Sequence, residues 1–138
     1  MSVPKVSFEE VQSCFDSRSR HVVINTMPSS LQSCLIRGTT VLDREENVMN
    51  ELIKSRPDTQ ILIYGMNCND DTIYAKHQQL VSLGLTCVKL YPGGMFEWLC
   101  LQEIYGKEAF PTTTEELDIL KYKPTCRPSP LLIEDSRP

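Results

Sequence analysis

The residues with most scope for chemistry stand together in Gly65-Met66-Asn67-Cys68-Asn69-Asp70-Asp71, a polar loop between the strand-like run Ile61-Leu62-Ile63-Tyr64 and a helical pattern. Cys68 is the candidate catalytic residue, a thiol placed just before a helix amino terminus, where peptide dipoles favour the thiolate. Asp70 and Asp71 oppose it, because two carboxylates within a few residues raise a thiol pKa and repel an anionic donor. At a helix start their structural use is to cap free N–H groups and to match the helix dipole. Two readings of Cys68 follow, a displaced nucleophile and a loop thiol without catalysis, and the acidic pair favours the second. Gly65, Met66, Asn67, Asn69, Asp70 and Asp71 are then the candidate binding loop. Phosphate cleavage by a thiol loop needs an arginine six positions after the cysteine to clamp the phosphate. That position is Tyr74 counted from Cys68 and Asp71 counted from Gly65, so this chemistry is excluded.

No metal and no cofactor are expected. None of the 6 cysteines forms a Cys-x-x-Cys pair, and His21 and His77 lie far from any close cysteine pair. Cys14, Cys34, Cys87 and Cys100 fall inside or beside apolar patterns, where a free thiol behaves as a small hydrophobe. No apolar leader marks the first residues, so a reducing compartment rather than a disulfide framework is expected.

The elements that must position the loop read as alternating strands and helices. Ser7 and Glu10 match a capping box that opens a helix carrying Phe8, Val11, Cys14 and Phe15 at helical spacing. His21-Val22-Val23-Ile24-Asn25 reads as a buried strand, and Leu35-Ile36-Arg37-Gly38-Thr39-Thr40-Val41-Leu42 as a turn delivering another. A helix is predicted over 46–56, ended by Pro57, and a further one over 73–83, stopped by Gly84. Leu85-Thr86-Cys87-Val88-Lys89-Leu90 is the next strand. Gly93-Gly94 reads as a tight turn with positive φ into an apolar helix over 95–105, whose Phe96, Trp98, Leu99 and Leu101 are expected in the core. A short amphipathic helix is predicted from Pro111 to about Tyr122. This alternation indicates an α/β fold with a parallel sheet covered on both faces, and in such sheets ligand sites gather at the carboxyl ends of the strands. The rule selects the loops after Asn25, Tyr64 and Leu90, with Asn25, Met27, Tyr91 and Met95 as the expected pocket rim and Tyr91 and Met95 the more exposed members.

Ile61-Leu62-Ile63-Tyr64, Leu83-Gly84-Leu85, Val88-Lys89-Leu90 and Gly93-Gly94-Met95-Phe96-Glu97-Trp98, taken in order, resemble the rhodanese homology domain. Val22-Val23-Ile24-Asn25 fits that family's first core strand and Leu35-Ile36-Arg37-Gly38-Thr39 its segment of His-Ile-x-Gly-Ala type, so the resemblance spans roughly residues 7 to 106. It implies a three-layer fold with a central parallel sheet of about five strands and helices on both faces. It also implies a sulfur-carrying cysteine directly after the central strand, where this chain has Gly65, a residue with no nucleophile. The acidic and basic residues that commonly follow the first core strand align with Asn25 and Met27, and the arginine of the active loop with Asp70 or Asp71.

A formal net charge of −4 argues against nucleic-acid binding and against acidic lipid surfaces, both of which call for excess Lys and Arg. No apolar run approaches the roughly 20 residues of a membrane span. A cytoplasmic monomer or weak dimer is expected, with residues 1–123 as one rhodanese-like domain and 124–138 as a Pro-rich, mobile tail. Within that tail Leu131-Leu132-Ile133-Glu134-Asp135 is an apolar-acidic stretch open to two readings, a docking segment or solvated chain, and the composition favours the second. The function expected from these residues is recognition of a protein or small-molecule partner by a noncatalytic rhodanese-like module. The alternative is a divergent thiosulfate or persulfide sulfurtransferase with Cys68 as the sulfur carrier.

Overall fold

Four consecutive apolar residues, Ile61 to Tyr64, can all be buried only in a strand covered on both faces, and this run is the centre of the sheet. The structure is a computed structural model, and it describes residues 3–14 and 21–124. Strands β1 (His21–Asn25), β2 (Gln60–Tyr64) and β3 (Val88–Tyr91) are parallel in the order β1-β2-β3, with Asn25 opposite Tyr64 and Tyr64 opposite Tyr91 at their carboxyl ends. Helices α1 (Phe8–Ser13), α2 (Leu42–Ser55), α3 (Thr72–Ser82) and α4 (Gly94–Tyr105) supply the outer layers.

The twofold alternation of the strands divides the core into two clusters. Val23, Leu62, Tyr64 and Tyr91 face α1 and α4, where Val11, Met95, Trp98 and Leu99 meet them. Ile24, Ile61, Ile63, Val88 and Leu90 face the opposite way, onto Met49 of α2 and Ile73 and Leu80 of α3. Trp98 anchors the first cluster, edge-on to Phe110 at 4.9 Å between ring centroids, with its Nε1 donating to the Pro111 carbonyl at 3.1 Å.

Among the described residues the sheet has three strands, not the five expected. Residues 35–42 contribute only a bridge from Thr39 to Val23, because their hydrogen bonds go elsewhere: Arg37 N–H donates to Pro111 O, Leu35 N–H to Thr113 Oγ1, and Thr113 N–H to Leu35 O. At the other edge Lys5 bridges Leu90, where Pro4 lacks the N–H that would extend the ladder. The helix predicted over 111–122 is likewise absent, and only Ile119–Tyr122 forms a single 3-10 turn. Thr112, Thr113 and Thr114 are β-branched and put their hydroxyls into local and cross-chain hydrogen bonds instead of a helix.

Smaller shifts have equally local causes. The Ser7 capping box does not form, since the Ser7 hydroxyl turns to Glu9 and the Glu10 N–H takes the Ser7 carbonyl. Phe15 and the tail from 125 to 138, with its docking segment, lie outside the described residues. The third strand starts at Val88 because the N–H groups of Leu85 and Thr86 are taken by Leu80 O and Pro57 O. Helix α2 opens at Leu42, four residues before the predicted start, and α3 ends beside Gly84, whose φ of +106° lets Leu85 N–H return to Leu80 O. Among the described residues no helix is long and apolar enough to cross a membrane.

Burial holds the phenols of Tyr64 and Tyr91 well above their ordinary value and pushes that of Tyr122 up to about 12. The unfolded chain releases these protons near pH 10 while the folded chain retains them, so folding free energy is unaffected below that pH and falls as pH rises through it. Thermal melts across alkaline pH should show a midpoint steady to about pH 10 and declining above it. A midpoint that stays level a full pH unit higher would contradict the burial of these three rings.

Candidate functional site

The carboxyl ends of the three strands bring their following loops together, and the loop after β2 is fixed most tightly. Gly65 O accepts the Met95 N–H and Met66 O the Phe96 N–H, both at 2.9 Å, so two N–H groups of the first turn of α4, which have no partner within the helix, are satisfied by this loop. The approach is close because Gly94 has no side chain. Its φ is +68°, and a Cβ there would lie 2.8 Å from Gly65 O and 2.9 Å from Asn67 N. Gly93, by contrast, has an ordinary φ of −59°.

Within the loop, Asn67 and Asp70 satisfy the backbone. Asn67 Oδ1 accepts the Asn69 N–H at 2.9 Å, its carbonyl accepts the Asp70 N–H, and its Nδ2 donates to Tyr122 O at 2.8 Å. Asp70 Oδ2 accepts the Met66 N–H at 2.9 Å, and Oδ1 accepts the Thr72 N–H at 3.0 Å and the Thr72 hydroxyl at 2.5 Å. Asp70 therefore does more than cap α3: its carboxylate reaches back across the loop to the residue after Gly65. A Cβ on Gly65 would stand 2.6 Å from Asp70 Oδ2 and 3.1 Å from Ile73 Cγ2. Any side chain at position 65 must displace that carboxylate.

Cys68 is exposed, and its sulfur lies 3.9 Å from Asn69 Oδ1. Asp71 occupies the N-cap position of α3 without a side-chain capping bond. Asn25 is 2% exposed and spends its side chain on the turn after β1, accepting the Met27 N–H and exchanging two hydrogen bonds with Gln32. The expectation that Tyr91 and Met95 are exposed rim residues fails: they are 1% and 0% exposed. Both side chains sit on the core side of β3 and α4, and the Tyr91 hydroxyl donates to Glu97 Oε1 at 2.6 Å.

A cavity of about 340 Å³ opens beside the loop, lined by Asn25, Thr26, Met27, Thr72, Lys76 and Glu45 among others. The ion pair of Lys76 with Glu45 ties α3 to α2 at its wall, and Thr26 Oγ1 stands 2.7 Å from Thr72 Oγ1 at its mouth. Sequence reasoning missed Thr26, Thr72, Glu45 and Lys76. Thr72 and Lys76, four apart on one helix face, were the available signal; Glu45 was hidden by the late start assigned to its helix. Among the described residues no cluster of three His, Cys, Asp or Glu could hold a metal ion.

No protein-family model matches this sequence, and no curated protein matches it either. Solved structures do. The Alr3790 protein of Anabaena sp. aligns over 83% of both chains at 19% identity with a TM-score of 0.57. The rhodanese-like domain of that protein, solved by NMR, aligns over 94% of this chain and 89% of that one at 18% identity and a TM-score of 0.55. A thiosulfate sulfurtransferase of Pseudomonas aeruginosa aligns over 72% of this chain but 19% of its own length, at 22% identity and a TM-score of 0.56. The fold is rhodanese-like.

Gly94→Ala would force backbone atoms apart in a region where α4 and the loop share two hydrogen bonds. The expected loss is about 2–4 kcal/mol in urea unfolding, from positive φ and overpacking together. A loss below about 0.5 kcal/mol would mean that the loop does not depend on this approach.

Proposed function

We propose that this chain is a rhodanese-like binding module that carries no sulfur, presenting the 65–71 loop and the cavity beside it to a protein or small-molecule partner. The observation that carries the reading is the Asp70 carboxylate lying where a side chain on Gly65 would project. A persulfide carrier needs a thiol with a Cβ at that point, and an anionic sulfur donor needs loop N–H groups free of competing negative charge. Here the Met66 N–H already serves a carboxylate of the chain itself. The cavity with Thr26, Thr72, Asn25 and the Lys76–Glu45 pair supplies polar groups for a small ligand, and the exposed edge of Cys68 and Asn69 suits a protein surface.

The competing reading is sulfur transfer by Cys68, which is exposed in the same loop. One of the proteins sharing the fold is a thiosulfate sulfurtransferase, so thiosulfate is the donor to test. Purified protein supplied with thiosulfate and cyanide should form no thiocyanate above the uncatalysed rate, and Cys68→Ser should leave that result unchanged. Turnover in the wild-type chain that disappears in Cys68→Ser would replace the binding module with a sulfurtransferase.

A further inference from the structure

The segment after α4 is held in two unequal parts. Residues 111–114 are sewn to residues 33–37: Pro111 O accepts the Arg37 N–H, Thr112 bridges Ile36, Thr113 N–H donates to Leu35 O, and Thr114 O accepts from the Cys34 thiol. Residues 115–123 are held more loosely. Of their ion pairs, Lys107 with Glu115 is exposed and contributes little, and Lys121 with Glu116 lies within the segment and ties it to nothing else. Leu117 and Leu120, 84% and 65% exposed, bury little, which leaves half-buried Ile119 and buried Tyr122 to fasten the segment to the core.

This looser part nevertheless covers the candidate loop. Tyr122 lies fully buried among Tyr64, Cys34 and Met95, and its carbonyl accepts the hydrogen bond from Asn67 Nδ2. Its hydroxyl has no hydrogen-bond partner among the described residues. A buried hydroxyl that no described group answers holds the closed position less firmly than an apolar ring of the same shape would.

We propose that residues 115–123 form a strap that closes over the β2–α3 loop and opens as a local unit, swinging Tyr122 out of the core and freeing the Asn67 amide. The closed state hides the loop face at Asn67 and shields the Cys34 thiol, which is 1% exposed. The open state presents both to solvent while the three strands and α4 stay folded. This holds whatever the loop binds, since nothing in the geometry depends on a partner.

Hydrogen exchange on the full chain, with peptide-resolved alkylation by N-ethylmaleimide, tests it. The amides of Lys121 and Lys123 should exchange together with those of Asn69 and Asp70, on the order of a hundredfold faster than the amides of β2. Cys34 should label at the rate set by that opening. Tyr122→Phe, which removes the unmet hydroxyl and keeps the ring, should slow both strap exchange and Cys34 labelling by about fivefold. Asn67→Ala should speed them. Exchange of 119–123 only together with β2, or Cys34 labelling unaltered in Tyr122→Phe, would overturn the strap.

Discussion

The backbone contact between the loop after β2 and the first turn of α4 is the constraint on which the site depends. Two loop carbonyls serve as acceptors for α4, and Gly94 permits the approach because a Cβ would intrude on Gly65 and Asn67. This contact fixes where α4 begins, and so where Met95, Trp98 and Leu99 meet β2 and β3. It also turns the loop's carbonyls toward α4, leaving the N–H groups of Met66 and Asn69 to be satisfied by side chains of the loop itself. Fold and site are thus set by one close approach of two backbones.

The side chain that answers the Met66 N–H is a carboxylate, and the proposed reading as a binding module rests on it. An N–H that could stabilise a thiolate or a bound anion instead bonds Asp70, whose carboxylate stands where a side chain on Gly65 would project. Cys68, displaced outward, has exposure without that cradle. On the proposed reading, rhodanese-like architecture persists without sulfur chemistry because the fold rests on the apolar strands and Gly94, whereas transfer would rest on what occupies position 65.

The three buried strands were legible in sequence because each is an apolar run whose pairing partners are also apolar runs. The edges were not. Residues 35–42 have β-branched composition, but the N–H groups of Leu35 and Arg37 find their partners at Thr113 and Pro111, more than seventy residues away, and local pattern carries no trace of that choice. Thr112, Thr113 and Thr114 resemble a helix start because threonine caps helices, yet here the hydroxyls of Thr113 and Thr114 fasten the chain to residues 33–35. Tyr91 and Met95 read as rim residues because they flank the loop at the carboxyl end of β3, although the register of β3 and the packing of α4 turn them into the core. Position 65 was readable as glycine, and Asp70 as acidic. That the second fills the space of the first depends on a loop geometry no spacing rule supplies.

Sulfur loading of two variants, followed by intact mass after thiosulfate, tests most directly whether Asp70 keeps the loop closed to this chemistry. In the reaction the outer sulfur of thiosulfate passes to a thiolate and sulfite leaves. Gly65→Cys alone should gain no sulfur, because the Asp70 carboxylate, though pushed aside by the new side chain, still stands beside the thiol and repels an anionic donor, whereas Gly65→Cys combined with Asp70→Gly should gain one sulfur atom at residue 65. A single variant that loads as readily as the double would contradict the account.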